Sequence, residues 1–254
     1  MRLLVVTPAR NEEECIAGTV HEIRAAVPSA DILVVDDGSA DRTVDRARAA
    51  GAEVLVLPFN LGVGAAMRTG FKFALHHHYD AVVQVDADGQ HDPGEIMDIV
   101  SRLSRPEFES LPGQADVVVG ARFANKGSYR VRGPRRWAMT LLSWALTRMA
   151  KATLTDTTSG FRAANRRAIS LYARHYPAEF LGDTIESLVI AIRAGLTVAQ
   201  VPVHMRPRVG GKPSKSPIDA SLYLLRATLI LLLARIRRWP AMVMIDPDHP
   251  MPLS

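Results

Sequence analysis

Short apolar runs rich in β-branched residues alternate with helical patterns along the first 120 residues of the chain. The runs Leu3–Thr7, Ile32–Asp36, Val54–Leu57, Ala81–Asp86 and Val117–Gly120 read as strands. Between them, Glu13–Val27, Asp41–Ala50, Gly64–Leu75 and Pro93–Leu103 read as helices. The strand runs are almost wholly apolar instead of alternating, as parallel strands are when helices cover both faces. This order predicts an α/β fold with a mostly parallel central sheet flanked by helices and right-handed crossovers.

After Phe123 the pattern changes. Asn125–Arg136 is basic and carries glycines, Trp137–Ala152 reads as a helix, and Val198–Val203 as a further strand. Arg206–Ser216 is a basic loop around Gly210-Gly211. Ser221–Ile236 is strongly apolar, holds Arg226, and ends in Arg235, Arg237, Arg238 and Trp239. It falls short of the about 20 apolar residues that a membrane span needs. It reads as a helix lying in the bilayer interface, with a buried core or oligomer helix as the alternative. The expected organisation is a catalytic domain over residues 1–216, an apolar or amphipathic helix over 217–240, and a tail over 241–254.

Polar clusters fall where the strands end. Pro8–Glu12 follows the first, Asp36–Ser39 the second, Asp86–Gln90 the fourth, and Gly120-Ala121-Arg122 the fifth. Ligands of such sheets bind at the carboxyl ends of the strands, so these clusters mark one site. Asp41 and Asp92-Pro93 stand where helix caps are expected.

Composition narrows the classes. Hydrophobic residues at 48% with 22% charged describe a folded chain. The net charge of +5 is uneven, with basic residues gathered in Lys126–Arg167 and Arg206–Arg238, and points to phosphates, an anionic bilayer or nucleic acid. Aromatics at 6%, with no recognition motif, disfavour nucleic acid. The first strand-to-helix turn, Pro-Ala-Arg-Asn-Glu, is not the glycine-rich turn of a dinucleotide oxidoreductase. The one cysteine, Cys15, excludes an intramolecular disulfide and reads as a core thiol. No secretory signal is visible at the N-terminus, which points to the cytoplasm.

The most specific stretch is Asp86-Ala87-Asp88-Gly89-Gln90-His91 behind Ala81–Val85. Two carboxylates one residue apart at the end of a buried strand can chelate one hard cation, Mg²⁺ or Mn²⁺ in preference to Zn²⁺. Asn60-Leu61-Gly62-Val63-Gly64 lacks the full phosphate-loop pattern and reads as a close-packed helix entry. His76-His77-His78 reads as a helix end with a favourable dipole.

Asp36-Asp37-Gly-Ser-x-Asp-x-Thr, Asn60-Leu-Gly-x-Gly, Asp86-Ala-Asp-x-Gln-His and Asp156-Thr-Thr-Ser-Gly-Phe-Arg162 occur in that order. Together with Val201-Pro202-Val203, Arg208 and Ser214-Lys215, they resemble the family 2 glycosyltransferases with a GT-A-type fold. They are most similar to the dolichol-phosphate mannose synthase and polyprenyl-phosphate glycosyltransferase group. The resemblance runs from about Leu3 to Lys215. It implies an inverting transfer of a sugar from a UDP- or GDP-sugar to a polyprenyl phosphate at the cytoplasmic membrane face. The alternative is a soluble sugar or metabolite acceptor.

By that resemblance Pro8, Arg10, Glu12, Val35, Asp37, Asp86 and Ala87 hold the nucleotide, and Asp86, Asp88 and Gln90 hold Mg²⁺ or Mn²⁺. Asp88, Asp156 and Arg122 are the catalytic candidates. Arg122, Arg136, Arg162, Arg208 and Lys215 face phosphate or acceptor. Relatives often carry an aromatic residue where Arg10 stands, so guanidinium stacking would replace ring stacking there. The implied partners are the nucleotide-sugar, the polyprenyl phosphate and an anionic membrane surface, with a membrane-protein partner or a homo-oligomer as further options.

Overall fold

A computed structural model describes residues 1–104, 113–121, 147–150, 154–178 and 183–206. Seven strands form one sheet: β1 (Leu3–Ala9), β2 (Asp31–Asp36), β3 (Glu53–Val56), β4 (Ala81–Gln84), β5 (Val117–Ala121), β6 (Arg162–Asn165) and β7 (Val198–Pro202). Their order is β3-β2-β1-β4-β6-β5-β7. Every pairing is parallel except those of β6, which runs antiparallel between β4 and β5.

The helices are α1 (Ile16–Ala26), α2 (Thr43–Ala49), α3 (Val63–His76), α4 (Ile96–Ser101), α5 (Arg166–His175) and α6 (Asp183–Arg193). They cover both faces, and β1 shows why its run is apolar throughout. Leu4 and Val6 join a cluster with Met67 and Phe71 of α3 and with residues of α5 and α6. Leu3 and Val5 point the other way, to Ile16, Val20 and Ile23 of α1 and to Ile96 and Ile99. Alternate residues serve opposite cores, so the period-2 signal disappears from the sequence.

Strand order reverses beside β1: β2 and β3 lie on one side of it, β4 and its successors on the other. Such a switch point opens a crevice at the carboxyl ends of the strands. The loops after β1 and β4 flank this crevice.

Boundaries differ from the pattern where side chains intervene. The fourth strand stops at Gln84, short of Asp86, because the Asp86 peptide N–H turns to the His91 ring. The first helix starts at Ile16, since the Glu12 carbonyl takes the Cys15 and Ile16 N–H groups in a preceding turn. Asp41 and Asp92 receive the Thr43 and Gly94 N–H groups at 3.0 Å each, as their helix-start positions predict. At Gly64 a Cβ would lie 2.1 Å from the Pro177 carbonyl oxygen, so the entry of α3 is closely packed. Its other end closes at the histidine run, where the Arg2 guanidinium donates to the His77 carbonyl at 2.7 Å. Cys15 is buried.

The strand β6 and helix α5 were not legible in the apolar pattern. The bland alternative for Asp156–Ser159 is a cap before a helix, but a strand follows, and the helix starts only after the Asn165 cap. Among the described residues, no helix is long and apolar enough to cross a membrane. The apolar segment 217–240 and the tail lie outside the described residues.

Candidate active site

The loops after β1 and β2 are fastened to each other. Asn11, in the left-handed region at φ 53°, donates its N–H to Ser39 Oγ at 2.9 Å and accepts the Ala40 N–H at 2.9 Å. The Glu12 N–H reaches Thr43 Oγ1 at 2.9 Å, and the Asp37 N–H reaches the Ala9 carbonyl at 2.9 Å. Pro8 and Val35 are register partners. Val35 is wholly buried, so only its backbone is available to a ligand, whereas Arg10 is exposed at the rim.

Both strand-end aspartates have protein partners. Asp36 accepts the Ser39 N–H at 3.0 Å and the Ser39 hydroxyl. Asp37 accepts the N–H groups of Leu61 and Gly62 at 2.7 and 2.8 Å, at the positive end of α3. Gly38, directly after them, has φ +69°, and a Cβ there would lie 2.9 Å from the Asn60 nitrogen. Here the Asp-Asp-Gly-Ser segment and the Asn-Leu-Gly segment make one unit.

The loop after β4 is held from several directions. Gln84 Nε2 donates to Asp86 Oδ1 at 2.9 Å, and the Asp86 N–H donates to His91 Nδ1 at 3.0 Å. Thr19 of α1 donates its hydroxyl to the Ala87 carbonyl at 3.1 Å. Asp88 Oδ1 accepts the Gln90 N–H at 3.0 Å, with Gly89 in the left-handed region at φ 75°. The Arg206 N–H closes on the Gln90 carbonyl at 2.9 Å.

This donor set is two carboxylates and an amide, with Asp86 37% exposed and Asp88 and Gln90 half-buried. Among the described residues no cluster of three or more His, Cys, Asp or Glu forms a closed metal cage. An open, oxygen-only set fits Mg²⁺ or Mn²⁺, which bind through one or two carboxylates and complete their shell with water and substrate phosphate.

Asp156 comes to the same edge because β6 is antiparallel, which brings the segment before it to the carboxyl ends of its neighbours. A Cβ on Gly160 would lie 3.0 Å from Asp86 Oδ2 and 3.1 Å from Gln84 Nε2. The Asp156 side chain is buried, and its Oδ1 accepts the Thr158 N–H and hydroxyl at 3.2 and 3.0 Å. Gln200 of β7 donates to its carbonyl at 2.8 Å.

Arg162, a phosphate candidate by resemblance, is buried in a different service. Its guanidinium donates to the carbonyls of Ser159, Thr184 and Thr157 at 2.7, 2.6 and 2.8 Å, and to Ser187 Oγ at 2.9 Å. It ties the Asp156 loop to the start of α6. The head of the predicted basic loop is likewise engaged. Arg206 pairs with Glu22 of α1 at 2.5 Å and with Asp92 at 2.8 Å, and the hydrogen bond to Glu22 is the main cause of its raised pKa. Arg122, Arg136, Arg208 and Lys215 lie outside the described residues.

Sequence reasoning missed Thr19, Gln84 and Gln200, none of which belongs to a charged motif, and gave Asn11 no role of its own inside the Pro8–Glu12 cluster. Gln84 did leave a signal, a lone amide inside the apolar run Ala81–Val85.

The fold and this edge define a GT-A-type nucleotide-sugar transferase. The chain belongs to glycosyl transferase family 2, whose family model matches residues 4–172. It is 33% identical over 228 residues to the undecaprenyl-phosphate mannosyltransferase of Micrococcus luteus, covering 85% of this chain and 88% of that one. It is 30% identical over 232 residues to the polyprenol monophosphomannose synthase of Mycolicibacterium smegmatis, covering 87% and 84%. Among solved structures, glucosyl-3-phosphoglycerate synthase from Mycobacterium tuberculosis, in complex with Mn²⁺, UDP and glucosyl-3-phosphoglycerate, superposes with a TM-score of 0.68. The match covers 92% of this chain and 79% of that one at 24% identity, a likeness of fold.

Proposed function

We propose that this glycosyltransferase moves a sugar from a nucleoside-diphosphate sugar to a polyprenyl phosphate, with inversion at the anomeric carbon and with Mg²⁺ or Mn²⁺ held by Asp86, Asp88 and Gln90. The observation that carries this reading is the contact of two loops at one sheet edge, the Asp156 loop lying against Asp86 through Gly160. A donor bound at the first loop then meets an acceptor bound at the second.

A divalent cation bound there supplies positive charge to the departing diphosphate. The remaining work belongs to the chain. The crevice between β1 and β4 seats the nucleotide, with Arg10 at its rim and the Pro8–Glu12 and Asp36–Ser39 loops as its wall. Asp86 and Asp88, held by Gln84, His91 and the Gly89 turn, would hold the cation that faces the diphosphate. The acceptor phosphate oxygen forms the new bond to the anomeric carbon from the face opposite the diphosphate, and the bond to the diphosphate breaks. That oxygen is already anionic near neutral pH, so Asp156 orients the acceptor without having to remove a proton. The acceptor class is supported by the relatives, an undecaprenyl-phosphate mannosyltransferase and a polyprenol monophosphomannose synthase. The apolar segment 217–240 and the basic loop before it suit the anionic cytoplasmic face of a membrane.

The test is a donor screen. Purified protein, Mn²⁺ or Mg²⁺, labelled UDP- and GDP-sugars and a short polyprenyl phosphate are incubated and extracted into organic solvent. Label in the lipid phase from one donor is the expected result. No lipid-linked label from any donor sinks the lipid-acceptor reading.

A further inference from the structure

We infer that His91 is the positioning residue of the metal site, setting both the backbone and the carboxylate of Asp86. This rests on the reading of Asp86 and Asp88 as cation ligands. Nothing in the sequence gives the histidine of Asp-Ala-Asp-Gly-Gln-His a role of its own. It stands three residues beyond the second carboxylate and adds no third ligand, since its ring is turned inward. The His91 side chain is only 2% exposed, while that of Asp86 is 37% exposed.

Both ring nitrogens face one residue. Nδ1 accepts the Asp86 peptide N–H at 3.0 Å, which leaves Nε2 as the ring N–H. Nε2 lies 3.6 Å from Asp86 Oδ2, on the side of the carboxylate opposite the Gln84 amide, which donates to Oδ1 at 2.9 Å. The Asp86 side chain is thus held on Oδ1 by the Gln84 amide, with the His91 ring N–H standing beside Oδ2 at 3.6 Å, outside hydrogen-bond distance.

The ring plane is itself fixed. His91 stacks on Phe161 with centroids 4.8 Å apart and planes 13° from parallel. The His91 backbone bridges Met205 on its other flank. Phe161 closes the Asp156–Gly160 loop, so one stacked pair sets the ligand of the donor side from the acceptor side.

Packing alone does not require an imidazole here. A phenyl ring, somewhat larger, keeps the stack, but it leaves the Asp86 N–H without its acceptor and Oδ2 without a neighbouring donor. Outer partners that orient a metal ligand change metal affinity by about 10- to 100-fold when removed.

The experiment titrates Mn²⁺ into the full chain with UDP, and separately with GDP, and follows free Mn²⁺ by paramagnetic resonance. His91→Phe is expected to unfold cooperatively, yet to bind Mn²⁺ with nucleotide about 10- to 100-fold more weakly. His91→Asn, whose amide oxygen can stand in for Nδ1, is expected to recover much of the loss, while His91→Gln, which reaches only the Nε2 position, is not. In turnover the loss falls on kcat and on the Mn²⁺ requirement, with the acceptor KM unchanged. Native Mn²⁺ affinity in His91→Phe overturns the inference. If His91→Phe does not fold, equal affinity of His91→Asn and His91→Gln overturns it instead. Absence of Mn²⁺ binding by the native chain with either nucleotide removes the metal reading and this inference together, an outcome distinct from a native site that ignores His91.

Discussion

Gln200 grips Asp156 from the last strand of the sheet: its Nε2 donates to the Asp156 carbonyl at 2.8 Å, while its Oε1 accepts the Thr155 N–H and hydroxyl at 2.7 and 3.0 Å. The side-chain amide thereby takes over one polar group from each of two nearby peptides, and β7 sets the position of a loop more than forty residues earlier in the chain. Gln200→Leu leaves that carbonyl and N–H without their partners, at a cost of about 1–2 kcal/mol. The effect on turnover is expected to be larger than the effect on stability. kcat with polyprenyl phosphate should fall by at least about 10-fold, equivalent to about 1.4 kcal/mol of barrier. The KM for the nucleotide-sugar should stay native, since the donor loop is untouched. Steady-state kinetics with each substrate varied in turn, beside urea unfolding, measure both. A raised donor KM with unchanged kcat would count against Asp156 as part of the acceptor side.

How much of this site was legible beforehand depended on charge. The carboxylates at strand ends stood out because an unpaired buried charge is costly, and Asp36, Asp37 and Asp86 occur at the carboxyl edge where the pattern placed them, whereas Asp156 was marked by the family resemblance alone. Their partners did not stand out. The groups that fix them are backbone N–H groups, the Gln84 and Gln200 amides and the His91 ring, which are supplied by tertiary contact and leave no periodic trace. The antiparallel β6 was hidden for a related reason. Arg-Ala-Ala-Asn lacks the β-branched run that marks the other strands, and pairing with β4 and β5 makes it a strand.

Arg162 supplies a test of that distinction. As a phosphate ligand it would be dispensable to folding, whereas its four protein acceptors make it a brace between the Asp156 loop and α6. Arg162→Met removes the charged donor and leaves three carbonyls and a hydroxyl without it, partly offset by the relief of a buried charge. A loss of about 2–4 kcal/mol is expected in urea unfolding. A variant with native stability and weakened substrate binding would return Arg162 to the phosphate site.

Asp41 gives a pH dependence with a defined sign. Burial on its own raises the Asp41 carboxyl. The Thr43 hydroxyl and the Thr43 and Glu13 N–H groups outweigh it and hold the pKa below its ordinary value. A carboxyl whose pKa is lower folded than unfolded binds more protons when unfolded, so its contribution is complete above the unfolded value of about 3.9. The contribution declines as pH falls through the folded value. The stability difference between the native chain and Asp41→Ala should therefore be constant from about pH 7 to pH 5 and shrink below about pH 4. Urea midpoints for both proteins across that range decide it, and a difference that widens on acidification would contradict the assignment.

Gly160 separates function from stability most sharply. An alanine Cβ there meets the two oxygens of Asp86 at 3.0 and 3.3 Å and the Gln84 amide nitrogen at 3.1 Å. These are the free ends of two side chains, which can yield by a few tenths of an ångström, so Gly160→Ala should cost only about 1 kcal/mol in unfolding. The carboxylate cannot yield without leaving its place. Reacting groups must be held to within about 0.5 Å, and a displacement of about 1 Å costs about 100-fold in rate. The expected result is near-native thermal unfolding with kcat/KM lowered by about 10- to 100-fold and a raised Mn²⁺ requirement. Excess Mn²⁺ should restore part of the rate by refilling a weakened site, a recovery that a lesion in the acceptor loop would not show. Native turnover and a native Mn²⁺ requirement in Gly160→Ala would mean that the Asp86 carboxylate is not positioned for the reaction, and the two loops would then meet for folding alone.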